Sequence, residues 1–146
     1  MTRRLRAVLV TNVFVSAALS RSPTSPTREL FRRWLAGEFM LVVSQALTAE
    51  VIEKLLQHQI ELNQVTELIA SLERLAEWVE APPEDVLPVI AADPEDDAIL
   101  ACAVIGKADY LVTYDPHFDI LNGEYHGIKI TKALPFLWAV RGEPPV

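Results

Sequence analysis

Ala7-Val8-Leu9-Val10-Thr11-Asn12 sets the reading of the chain. An unbroken apolar run with β-branched residues fits a strand buried on both faces. Thr11-Asn12 ends that run, and Val13 to Leu19 predicts a short helix directly after it. The same alternation then repeats. Ser20 to Thr27 is a loop whose Ser25-Pro26 supplies an N-cap and a proline at N1. The helix that follows carries Leu30, Phe31, Trp34 and Leu35 on one side and stops at Gly37. Phe39 to Val43 is a second buried strand, and a helix over roughly 46–57 shows the stripe Leu47, Val51, Leu55. A longer helix covers roughly 62–76, Trp78-Val79 reads as a short third strand, and Pro82-Pro83 forces a break. Asp93-Pro94 opens a helix that ends near Gly106. Asp109 to Thr113 is a fourth strand, Ile128 to Ile130 a fifth, and Ala133 to Val140 a terminal helix. Strands that alternate with helices predict an α/β fold of three layers, with a central, mostly parallel, five-stranded sheet flanked by helices.

The length, 146 residues, fits a single domain over 1–146. The formal charge of -7 disfavours non-specific binding of nucleic acid through bulk charge. Arg3, Arg4, Arg6, Arg28, Arg32 and Arg33 crowd the first part of the chain, which allows either one basic face or a set of solvated surface arginines. The lone Cys102 excludes an internal disulfide and reads as a buried structural thiol in an apolar helix. His58, His117 and His126 are scattered and suggest no zinc site. The apolar run near the N-terminus is interrupted and lacks a small-residue cleavage site, so it reads as a strand and not as a leader. No apolar run approaches the roughly 18 residues of a membrane helix, and a cytoplasmic protein is expected.

In open parallel sheets, ligands bind at the carboxyl ends of the strands. Thr11 and Asn12 follow the first strand; Ser44 follows the second, with Glu50 behind it; Asp93, Asp96 and Asp97 open the helix before the fourth; Asp115 follows the fourth. Acids thus gather at one edge, where the sequence offers no lysine. Crowded carboxylates either take up protons or accept a cation, and carboxylates with water suit Mg²⁺ and Mn²⁺. Such ions polarise a phosphodiester, activate water and stabilise the leaving oxygen, so metal-assisted phosphodiester hydrolysis is the expected chemistry. Glu50, Asp96 and Asp115 are the expected metal ligands. Each acid also has a plainer role: Asp93 as an N-cap, Glu50 as a solvated helix residue, Asp115-Pro116 as a turn. Asp109, Glu53 and Glu73 read as surface.

The chain resembles the PIN domains, especially the toxins of toxin–antitoxin pairs akin to VapC. The likeness rests on Val8-Leu9-Val10-Thr11-Asn12-Val13-Phe14-Val15-Ser16-Ala17, Ala49-Glu50-Val51, Asp93-Pro94-Glu95-Asp96-Asp97-Ala98-Ile99-Leu100-Ala101-Cys102-Ala103 and Ala108-Asp109-Tyr110-Leu111-Val112-Thr113-Tyr114-Asp115. It implies a PIN-like, Rossmann-like sheet, Mg²⁺ or Mn²⁺, and cleavage of RNA. It also implies a homodimer and an antitoxin partner. By position, Glu50, Asp96 and Asp115 match the second, third and fourth family acids. Asp96 is preferred over Asp97 because it stands seven residues before Ala103. Thr113 matches a hydroxyl position beside the fourth acid, and Asn12 the residue that orients the first. The first acid is missing, because the strand ends Val10-Thr11-Asn12. The resemblance leaves three explanations for Val10: an inactive member, a substitution, or a site completed by Asp93 or Asp97. The two functional readings are a PIN-type ribonuclease, whole or impaired, and a catalytically dead module that binds RNA, an antitoxin or itself. A receiver or haloacid-dehalogenase-like domain is disfavoured, since both need an aspartate where Val10 stands.

Overall fold

The chain alternates strand and helix in the order β1 (Leu5–Leu9), α1 (Thr11–Leu19), α2 (Pro26–Leu35), β2 (Phe39–Val43), α3 (Gln45–Gln57), α4 (Leu62–Leu75), β3 (Glu77–Trp78), α5 (Pro94–Ile105), β4 (Tyr110–Val112), β5 (Glu124–Tyr125), β6 (Ile128–Thr131) and α6 (Ala133–Arg141). Short 3₁₀ turns at Pro83–Asp85 and Pro116–Leu121 complete it. This computed structural model describes residues 3–90 and 93–144; Met1-Thr2, the start of the leader-like N-terminus, lies outside them.

The sheet order is β3-β2-β1-β4-β6-β5. Every pairing is parallel except β5 with β6. The chain winds outward from β1 to β3, then returns to the other side of β1, so β1 and β4 flank the point where the winding reverses. That is where an open α/β sheet leaves a crevice at its carboxyl edge.

The sheet has six strands rather than the expected five. The extra one, β5, forms an antiparallel hairpin with β6 through His126 (φ 50°) and Gly127 (φ 81°). Both turn residues are left-handed, as a two-residue hairpin requires. His-Gly is a weak signal for such a turn, and two residues are too few to show an alternating pattern. The first strand is also shifted: it spans Leu5–Leu9, and Val10 is the N-cap of a helix that begins at Thr11.

Helices cover both faces because successive side chains of a strand point to opposite sides. On one face Phe39 and Tyr110 pack on Phe136 of α6, each with ring centroids 5.0 Å from it. On the other, Val42 meets the end of α5. A Cβ at Gly106 would stand 2.6 Å from Val42 Cγ1 and 3.0 Å from the Cys102 carbonyl oxygen, so only glycine lets helix and sheet approach this closely. Cys102 is buried, as expected. Gly37 ends α2 with φ 80°, while the Glu38 amide donates to the Arg33 carbonyl.

Many of the N-terminal arginines hold the fold itself. Arg3 and the Arg6 amide both donate to Asp109, which is therefore a partly buried anchor and not a free surface acid. Arg6 also pairs with Glu77 and donates to the Gly106 carbonyl. Glu29 of α2 receives Arg141 of α6 and Arg33 at 2.8 and 2.7 Å. The Arg141 bond first, then Arg33, holds the Glu29 carboxyl at about 2, against an ordinary 4.5.

Two stability outcomes follow. Gly106→Ala overpacks the α5–β2 contact and is expected to cost about 1–3 kcal/mol in thermal unfolding. A cost under about 0.5 kcal/mol would show that the helix can move away freely. Because the carboxyl pKa of Glu29 is depressed, its pairing stabilises the fold fully above about pH 4.5 and is lost as pH falls towards about 2. Glu29→Gln should therefore give a shallower acid limb in urea melts across that window. Parallel limbs for the two proteins would contradict the pairing.

Candidate metal centre

Four segments meet at the carboxyl edge of the sheet: the start of α1, the side of α3, the start of α5 and the turn after β4. Asp93 caps α5, accepting from the Glu95 amide at 2.9 Å, and Pro94 takes the N1 position. Asp96 follows within the first turn, buried and facing the cleft. Its neighbour Asp97 points elsewhere and accepts from the Val89 and Ile90 amides at 3.0 and 2.6 Å. Two adjacent acids thus divide the work: Asp97 fixes the loop that leads into α5, and Asp96 is left for the cleft.

The turn after β4 is built by its own side chains. Thr113 Oγ1 accepts from the Asp115 amide at 2.9 Å, and Asp115 Oδ1 accepts from the His117 amide at 2.9 Å. Asn12 Oδ1 accepts from the Tyr114 amide at 3.2 Å and ties this turn to α1. His117 Nδ1 then lies 3.0 Å from Asp96 Oδ2 and 3.5 Å from Asp115 Oδ1.

The cleft between these segments has a volume of about 480 Å³, and Val10, Thr11, Asn12, Glu50, Lys54, Asp93, Asp96 and Asp115 are among its lining residues. Of the residues expected from sequence, Glu50, Asp96, Asp115 and Asn12 share this cleft, while Thr113 is buried behind it and shapes the turn. Two expectations change. The edge does carry a lysine: Lys54, one helical turn beyond Glu50 on α3, lines the cleft. Asp93 does more than cap, because it also lines the cleft. His117, one of three histidines scattered in the sequence, is the residue at this edge that sequence reasoning misses. Its signal is its place two residues after Asp115, where an Asx turn folds the chain back towards the acids.

Electrostatics follow from this packing. Burial, reinforced by Asp115 and Asp93, raises the Asp96 carboxyl to about 6, although the His117 hydrogen bond acts to lower it. Burial also raises the Glu50 carboxyl, with the Thr11 hydroxyl acting against it. The hydrogen bond to Asp96 raises the His117 imidazole. The negative charge here lacks sufficient solvent or cationic compensation. Asp93, Asp96 and His117 each offer a ligand atom, and those atoms lie within 4.8 Å of one another. The Thr11 hydroxyl, on the wall of the same cleft, is buried without a close hydrogen bond. This donor set fits a divalent cation.

A doubly wound α/β sheet with an acid-lined cleft at its winding reversal is the class that this fold and site define. The model of the family described as PIN domain matches residues 6–117, and the chain belongs to that family. Among solved structures it is similar to VapBC2 from Rickettsia felis bound to a DNA fragment from their promoter. That match has a TM-score of 0.57 and 17% identity, and covers 86% of this chain and 97% of the other. At that identity the likeness is one of fold. No curated protein matches the chain in sequence. Among the described residues, no helix is long and apolar enough to cross a membrane.

Asp96→Asn removes a buried charge that the metal-free fold must tolerate. It is expected to stabilise the protein in chelator at pH 8 by about 1 kcal/mol, roughly 2–4 °C in Tm. A lower Tm would show that the carboxylate already has adequate partners.

Proposed function

We propose that this chain is a metal-dependent endoribonuclease of the PIN family, the toxin of a toxin–antitoxin pair, with a centre impaired at Val10. The observation that carries this reading is the meeting of Glu50, Asp96 and Asp115 in one cleft, from three segments far apart in sequence. Mg²⁺ or Mn²⁺ held by these acids would supply the positive charge that offsets charge building up on a phosphodiester in the transition state. Asp96 is the central ligand, buried and held by the capped start of α5. Asp115 comes from the turn after β4 and Glu50 from α3. Asn12 and Thr113 are positioning residues: the one fixes the turn against α1, the other fixes its backbone. Lys54, on the wall of the cleft, is a cation available to meet phosphate oxygens there.

RNA as substrate, a homodimer and an antitoxin partner come from the family resemblance. The solved VapBC2 complex supports the antitoxin, since a fold neighbour occurs as such a pair. The arginines near the N-terminus are weaker candidates for RNA contact than their clustering suggested. Arg3, Arg6 and Arg33 all have carboxylate partners within the fold.

Val10 favours a second reading, a module that binds without cleaving. Its side chain is buried and lines the cleft where a carboxylate would complete the set. It also occupies the N-cap of α1, where it makes no side-chain hydrogen bond. Aspartate there would both cap the helix and add a ligand.

The test is Mn²⁺-dependent cleavage of a broad RNA set by the natural chain and by Val10→Asp. The nuclease reading expects Val10→Asp to cleave at least tenfold faster, and Asp96→Asn in that background to abolish the gain. Folded proteins that both leave every RNA intact would favour the non-cleaving module.

A further inference from the structure

Asp93, Asp96 and His117 each offer a ligand atom within 4.8 Å of the other two, and Glu50 is not part of that group. We propose that His117 is itself a ligand of this centre, and that with Asp93 and Asp96 it forms a mixed nitrogen–oxygen seat that favours Mn²⁺ or Co²⁺ over Mg²⁺. This inference rests on the reading of the cleft as a divalent-metal centre and adds where the cation sits and which cation it is.

Ligands about 2.1 Å from one ion stand roughly 3–4 Å from each other. Asp93, Asp96 and His117 offer atoms within 4.8 Å of one another, so small side-chain adjustments suffice. Each has an atom to give. Asp93 uses Oδ1 for the Glu95 amide, which leaves its second oxygen. The Asp96 carboxylate has no partner but His117 among the hydrogen bonds of the described residues. The His117 backbone is fixed by Asp115 Oδ1, and that turn aims Nδ1 at Asp96.

The β1 side of the cleft explains why the seat lies towards α5. Val10 brings no ligand atom there, whereas Asp93 and Asp96 come from the start of α5 and His117 from the turn after β4. Thr11 adds a sign of room for a ligand. It is 7% exposed, it lines the same cleft, and its hydroxyl meets no group at full hydrogen-bond geometry, with the Glu50 carboxyl nearby. A buried hydroxyl so loosely satisfied is uncommon, and an ion with its water shell would supply a full partner. The preference for cation follows from ligand chemistry. Mg²⁺ holds to oxygen ligands, whereas imidazole suits the transition metals.

The competing account is that protonated His117 merely neutralises Asp96 and occupies the cation's place. Titration calorimetry with Mg²⁺, Mn²⁺ and Co²⁺ separates the two, using the natural chain, His117→Gln and Asp93→Asn, with folding checked by circular dichroism. The seat predicts that Co²⁺ and Mn²⁺ bind the natural chain more tightly than Mg²⁺. Both variants should lose about tenfold or more for Co²⁺. His117→Gln should also change the visible Co²⁺ spectrum and alter Mg²⁺ affinity less than about threefold. Co²⁺ binding that is equal or tighter in His117→Gln overturns the seat while leaving a metal centre in place. Absence of binding by any of the three ions, up to millimolar concentration, overturns the metal centre and the seat together.

Discussion

Asp96 carries a carboxylate to a place where water scarcely reaches it, and much of the site is arranged around that fact. Its side chain is 6% exposed, and Asp93 and Asp115 add negative potential. The positive end of α5 offsets part of this, but a helix terminus contributes only about 0.3–1 kcal/mol in ordinary settings. The result is a carboxyl raised to about 6. A group so placed is costly to the fold by itself, which is the usual condition of groups kept for chemistry.

The fold produces this placement through ordinary local rules. Parallel strands bring their carboxyl ends to one edge, and each returning helix starts from that edge. Asp93 and Pro94 start α5 cleanly, while Asp97 pins the preceding backbone, so Asp96 has little freedom of position. On the other side, a Thr113–Asp115–His117 chain of side-chain-to-backbone bonds shapes the turn, and Asn12 locks it to α1. Distant contacts then hold the frame: the glycine contact of α5 with β2, and Glu29 between α2 and α6.

Much of this was legible in the sequence. Apolar runs, caps and prolines are local signals, so the alternation of strand and helix and the parallel sheet could be read directly. Glu50, Asp96, Asp115 and Asn12 could be placed at one edge because a parallel sheet dictates where strand ends lie. What escaped was set by geometry beyond the local pattern. β5 is two residues long and depends on a His-Gly turn. Lys54 and His117 look like surface residues until helix phase and the Asx turn bring them to the cleft. Asp109 looked free because its partners, Arg3 and Arg6, lie about a hundred positions away.

The central claim is that these acids exist to hold a cation at the start of α5. Anomalous diffraction at the manganese edge, on crystals of the natural chain soaked in Mn²⁺, addresses it directly. The account predicts a peak about 2.2 Å from an Asp96 carboxylate oxygen, with Asp93 and His117 in the same shell. A well-ordered cleft without a peak, or a peak bound only to surface acids elsewhere, would contradict it.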